Sequence, residues 1–499
     1  MYFTLLLVGF ALFSAYLYLT RNYDYWKRQN VPCASLPLPG IGHALPVLLI
    51  LENMGMWAHR MYLKMGKSSM FGCFFMQTPA LVIRDPELVK QVLNTDFTSF
   101  SNNKTSLNPD LDHIMKRNPF FAKDEEWKDT RYAVSNNFTA KTLRCISDIV
   151  LGVCDKLVPF VQNRIDLDKG YAELELKRLI TRVTGEVIAN AGFGIEGYSF
   201  EEKPPSGTFA SFAHKFFEAS TLNGFERVVR FTFPGFARMI GMRLMDAETD
   251  RYFRNIIREV LKSRSEKKVD NSDFLKFIVE RMSEVDEDAT VAQVSVIFFD
   301  GYETSSSVIS SIIFQLAEHP DLQEKARQEV LEVIEKSGGK LNYDCIKSME
   351  YMDKVMHEAI RVNPAAIEFI RVCNKQTTLK GADGIKAVLE PGSLVVVSSV
   401  GLHADEEYWP NPTVFDPERF AGGKDNWNKY AFLPFGEGPR KCVGKRLGIM
   451  LVKLVTATLL TNFKVEKSPR TKLPLKLNPN SFTWVADGGL WVRFKPLHS

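Results

Sequence analysis

The stretch that most constrains the fold is Thr290 to His319, TVAQVSVIFFDGYETSSSVISSIIFQLAEH, closed by Pro320. It has helical spacing and is apolar on most faces, so it needs protein on every side and reads as a central helix. Proline stops it, because the ring meets the preceding turn and the N–H donor is missing. Surrounding such a helix takes a large core. A chain of 499 residues, 45% apolar and 12% aromatic, supplies one, and that composition excludes general disorder. Midway the run is broken by DGYETSS, where a purely structural helix would continue with Leu or Ala. One reading is a buried helix with a local kink and hydroxyls bonded to their own backbone. The other is that Gly301 opens the helix beside a ligand while Glu303 and Thr304 handle protons there.

The first residues set the organisation. Met1 to Thr20 carries no charge, and about 20 apolar residues cross a bilayer as one helix. A cleaved secretory signal is the alternative. Against it, the basic n-region and an A-x-A-like cleavage site are missing, and Arg21, Lys27 and Arg28 follow directly. Positive charge on that flank keeps it cytosolic. Tyr23, Tyr25 and Trp26 suit the headgroup zone. The expected order is an anchor at 1–20, a proline-rich lead-in at 21–44 and a single catalytic body at 45–499. In the lead-in, Pro32, Pro37 and Pro39 with Gly40 and Gly42 predict a stiff, non-helical segment.

Met70 to Arg84 reads as two short strands joined by a turn at Thr78-Pro79. Helical periodicity then continues to about residue 370. The C-terminal SFTWVADGGLWVRF alternates like a strand, with Gly488-Gly489 as a hairpin signal. The expected fold is mainly α with a smaller β portion drawn from both ends of the chain.

Charge and cysteine usage exclude several classes. A net charge of +4 is mild, whereas a nucleic-acid surface needs a concentrated basic face and a reading motif. Seven cysteines, with no C-x-x-C pair, argue against a disulfide framework or a dithiol site and favour a reducing compartment. The sequons at Asn103 and Asn137 are then accidental, because glycosylation needs a lumenal chain.

Two local patterns carry chemistry. In HEAIR, Glu358 and Arg361 share a helix face. Such a pair is either a solvated surface bridge or a buried one that needs further partners, and Arg419 in FDPERF offers one. In FLPFGEGPRKCVGKRLG, Cys442 ends a glycine-punctuated loop just before an apolar helical pattern. A cysteine at a helix N-terminus meets unpaired amides and the positive end of the dipole, which favours its anion.

Phe435, Gly438, Arg440, Cys442 and Gly444 spell F-x-x-G-x-R-x-C-x-G, which resembles the haem-binding loop of the cytochrome P450 family. W-x-x-x-R at Trp127 to Arg131, G-x-E-T at Gly301 to Thr304, E-x-x-R at Glu358 to Arg361 and P-E-R-F at Pro417 to Phe420 follow in the family's order. The likeness covers essentially the whole chain and is similar to insect microsomal members of the clan that includes drug-metabolising enzymes. It implies the P450 fold around haem b, with Cys442 as axial thiolate, pushing electron density toward iron. By the same resemblance Trp127, Arg131, Arg371 and Arg440 hold the haem propionates, arginine matching carboxylate bidentately. Phe435, Gly438 and Gly444 shape the haem loop. Glu358, Arg361 and Arg419 form a structural triad. Thr304 and Glu303 deliver protons during oxygen activation. Two departures stand out: Asp300 occupies a place where Ala or Gly is usual, and Ala365-Ala366 replaces a Pro-Pro-like pair.

The implied reaction is NADPH-driven insertion of one oxygen atom from O2 into a lipophilic small molecule. A haem-thiolate isomerase or dehydratase acting on lipid peroxides without a reductase is the alternative. Lacking G-x-G-x-x-G, the chain takes its electrons from a partner. The resemblance implies NADPH-cytochrome P450 reductase, with cytochrome b5 as a further donor. Lys128, Lys441, Lys445 and Arg446 give a basic face for it. Phe120, Phe121, Phe217, Phe298 and Phe482 are among the aromatics in the family's pocket-lining segments. Val228 to Leu244, mixing Phe with Arg, reads as a membrane-surface segment. The implied location is the endoplasmic reticulum membrane, catalytic body on the cytoplasmic side.

Overall fold

In a computed structural model, which describes residues 1–105, 107, 110–267, 274–279, 287–423 and 426–497, the central helix spans Glu287–Glu318, 32 residues. Pro320 opens the next helix, Pro320–Lys336, with His319 as the boundary residue. Helices dominate, and strands form three small sheets among the described residues. The chain divides into two compact units, one made of Met1–Thr105, Ile367–Pro410 and Trp427–Lys441, the other of the remainder.

The first unit is built on a five-stranded sheet in the order Met70–Phe75, Thr78–Ile83, Leu394–Ser398, Glu368–Val372, Asn102–Asn103. Thr78–Ile83 and Leu394–Ser398 run parallel; the other neighbours are antiparallel. The first turn falls at Met76-Gln77, two residues before the expected Thr78-Pro79, and Pro79 sits in a strand opposite Phe74. Proline is tolerated there because parallel pairing with Leu394 starts only at Ala80, so no donor is missing on that side.

The lead-in is docked along the first strand rather than free. Trp26 is fully buried, and its indole N–H donates to the Cys73 carbonyl at 2.9 Å. Gly72 N–H reaches Pro32 O at 2.7 Å, and Ala34 N–H reaches Gly72 O at 2.9 Å. A Cβ on Gly72 would run into the Trp26 ring. Trp26 is therefore core in this unit, not the headgroup-zone aromatic that its position after the apolar run suggests. Helix Tyr2–Thr20 has no buried residue.

In the second unit the central helix packs against helices Leu176–Ile188, Lys445–Asn462 and Glu350–Val362. Burial on most of its turns matches the all-round apolar pattern. Ala172–Glu175, Trp491–Pro496 and Phe463–Lys467 form a three-stranded antiparallel sheet. The expected hairpin about Gly488-Gly489 does not form. Those glycines, at φ +84° and +81°, turn the chain into Trp491–Pro496, whose partners lie elsewhere in sequence. Residues 476–487 close a separate loop through Asn478 N–H to Val485 O at 2.8 Å and Asp487 N–H to Lys476 O at 2.7 Å.

Candidate active site

Cys442 lies just before helix Lys445–Asn462, for which Gly444 is the N-cap. Of the seven cysteines it alone is exposed. Protein atoms nevertheless crowd the sulfur from one side. Burial pushes the thiol up to about 11; the Gly444 N–H opposes this, the Asp300 carboxylate adds to it, and Arg131 and Lys445 oppose it. An ionised sulfur here needs a further cation, which is what a bound metal supplies.

Trp127 and Arg131 share a face of helix Asp124–Ser135, four residues apart. Trp127 is buried at 6% exposure. Burial lowers the Arg131 pKa, the Cys442 sulfur pulls the other way, and no carboxylate among the described residues pairs with this guanidinium. In the first unit Arg371, on strand Glu368–Val372, is buried at 5% exposure. One guanidinium nitrogen donates to Asn103 Oδ1, Nε has no partner, and burial holds its pKa down at about 10. Arg440 donates through Nε to the Ser101 carbonyl and contacts Asn102 Oδ1 at 3.5 Å. Ser101, Asn102 and Asn103 thus seat both arginines. Sequence reasoning missed them; Asn103 carries only a sequon signal. Phe435 is half-buried, and Gly438, at φ +77°, lies so close to Leu93 that a Cβ would meet its carbonyl. In the first unit the buried Arg371, with its unmatched Nε, suits a carboxylate, and in the second the reachable Cys442 suits a metal that binds sulfur. Haem carries both.

Above Cys442 in chain terms, the central helix stays α-helical through Asp300–Ser306. Gly301 does not open it. Thr304 Oγ1 donates to the Asp300 carbonyl at 2.5 Å, the back-bond of the first reading. Glu303 turns to another face. It is 3% exposed, pairs with Lys177 Nζ at 3.1 Å and accepts from Thr483 Oγ1 at 3.2 Å. Lys177 also donates to the Glu303 carbonyl and Ser307 Oγ, both at 3.0 Å. The sequence pairing of Glu303 with Thr304 therefore gives way to Asp300, one turn before Thr304 and on its side of the helix. Burial raises the Asp300 carboxyl to about 7, opposed by the Asn118 amide.

Glu358, Arg361 and Arg419 meet in the second unit. Glu358 accepts from Arg361 Nε at 2.7 Å and Nη2 at 2.8 Å, pairs with Arg419 at 3.4 Å and takes the Asp416 N–H at 2.9 Å. The aromatics of the pocket-lining segments divide. Phe217, Phe298 and Phe482 stack in one cluster with Tyr302, while Phe121 stacks on Phe231.

The Cytochrome P450 family model matches residues 32–492. The chain belongs to the cytochrome P450 family. Among its relatives it is 32% identical to Cytochrome P450 3A5 of Homo sapiens, over 95% of this chain and 93% of that one. It is 29% identical to Cytochrome P450 6a2 of Drosophila melanogaster, with 98% of both covered, and 28% identical to Cytochrome P450 6k1 of Blattella germanica, over 98% and 96%. P450 membership makes the protein a haem b oxidoreductase of the monooxygenase type, with a cysteine thiolate as axial ligand.

Proposed function

We propose that this P450 is a membrane-anchored, reductase-driven monooxygenase of lipophilic small molecules: RH + O2 + NADPH + H+ gives ROH + NADP+ + H2O. The observation that carries the reading is Cys442, the exposed cysteine among seven, placed where the F-x-x-G-x-R-x-C-x-G loop meets a helix. Haem b supplies the oxygen-activating chemistry when bound. Cys442 would hold its iron, and Arg131, Arg371, Arg440 and the Trp127 indole would take its propionates. Thr304 keeps its proton in the bond to the Asp300 carbonyl, which leaves the hydroxyl oxygen free to accept from a water or a substrate group. Glu303, tied to Lys177, supports that helix from behind.

Exposed Lys441, Lys445 and Arg446 suit an acidic flavoprotein reductase and cytochrome b5; the Lys128 charge is partly offset by Glu125 at 2.7 Å. The aromatic cluster favours lipophilic substrates such as xenobiotics, steroids or fatty-acid-like molecules. Helix Tyr2–Thr20, of mean hydropathy 1.9, would anchor the catalytic body on the cytoplasmic face of the endoplasmic reticulum. Phe236 and Ile240, each 50% exposed, and Met239, 74% exposed, offer a second apolar contact with lipid. Replacing Cys442 with Ala should abolish the thiolate-type spectrum of the reduced carbonyl complex. Survival of that spectrum would overturn the ligand assignment.

A further inference from the structure

We infer that the Asp300 carboxylate is an anchor for a cationic group on a lipophilic substrate, so that this enzyme prefers amphiphilic ammonium compounds over neutral molecules of the same shape. The inference rests on the substrate site proposed beside Thr304.

Three observations carry it. First, Asp300 is exposed in the middle of a helix whose flanking Phe298, Phe299, Tyr302 and Glu303 are all buried, so its side chain faces accessible space on the Thr304 side. Second, the carboxylate is poorly served. Its side-chain partner among the described residues is the Asn118 amide, whose Nδ2 is spread over both oxygens at 3.3 and 3.4 Å. A carboxylate offers about four acceptor positions, and no basic side chain among the described residues pairs with this one. Asn118 has no further freedom to improve the contact, because it is fully buried and its Oδ1 takes the Phe120 N–H at 2.7 Å. An uncompensated carboxylate among protein atoms is costly, and a ligand cation offsets that cost where a neutral ligand does not. Third, the turn that Asn118 holds carries Phe120 and Phe121, with ring centroids 5.1 Å apart. Aromatic rings on the turn that holds the carboxylate's amide partner suit a weakly hydrated ammonium ion.

The test uses haem-loaded full-length protein and a matched pair of probes: phenylbutyltrimethylammonium and the neutral hydrocarbon with carbon in place of nitrogen. A quaternary nitrogen has no lone pair to offer iron, so calorimetric affinity reports the pocket alone. The expected result is that wild type binds the cation about tenfold more tightly than its neutral isostere, a typical value for one desolvated charge contact. In Asp300→Asn, checked for haem content, the ratio should fall to about one. Equal affinities in wild type overturn the inference whether or not the variant folds, and so does an unchanged ratio in Asp300→Asn. Either failure leaves the monooxygenase reading intact, since that reading falls with the Cys442→Ala spectrum instead.

Discussion

Glu358 and Asp300 are two helix carboxylates of the same unit, one buried and one open to accessible space, and they are provisioned in opposite ways. Glu358 receives two bonds from Arg361, the charge of Arg419 and the Asp416 N–H. Asp300 receives one long, divided amide contact. Glu303 lies between them, with a lysine and a threonine hydroxyl. The contrast separates structure from chemistry. A carboxylate whose lone pairs are filled by fixed side chains locks elements together, whereas one left partly unfilled can still bind or exchange something.

The comparison breaks most visibly at Glu358. Replacing it with Ala leaves the Arg361 guanidinium, 1% exposed, without its counter-charge. Removing one partner of a buried pair costs about 3–5 kcal/mol. Chemical denaturation of Glu358→Ala should show a loss of that order, or a failure to accumulate haem-loaded protein. A loss under about 1 kcal/mol would mean the site is not structural. Lys177→Met should sit lower on the scale. It strands Glu303, whose side chain is 5% exposed, but Lys177 itself is 17% exposed and Thr483 still donates. Destabilisation of about 2 kcal/mol is expected, measured the same way.

This gradation explains what could be read from residues alone. The central helix was legible because no face of it suits water, and the shared face of Glu358 and Arg361 was legible because three residues of spacing fix it, while their burial and the part of Arg419 came only through the family resemblance. Which way Glu303 points was not, since adjacent helical residues diverge by about 100° and the deciding partner, Lys177, lies 126 residues away. The Ser101–Asn103 seat for Arg371 and Arg440 was hidden for the same reason: its meaning arises from strand pairing between Asn103 and Arg371. The lead-in carried proline stiffness in its sequence but not the Trp26 and Gly72 contact, which needs a glycine on a distant strand.

Because Asp300 is solvent-accessible, screening keeps its effect the smallest of the three, and its sign distinguishes it from the other two. Its folded-state pKa, about 7 through burial against an ordinary value of 3.8, means that the native protein holds a proton which the unfolded chain has already released between those values. Stability from this group is therefore present below the unfolded pKa and declines as pH rises through the folded one. Asp300→Asn removes that decline. Between about pH 5 and pH 8 the variant should gain on wild type in denaturant midpoint, with the gap levelling off above the folded pKa. Glu358→Ala, by contrast, should trail wild type across the whole range. A gap for Asp300→Asn that closes as pH rises would show that the carboxylate is stabilised as an anion in the native state, and would place Asp300 with Glu358 rather than against it.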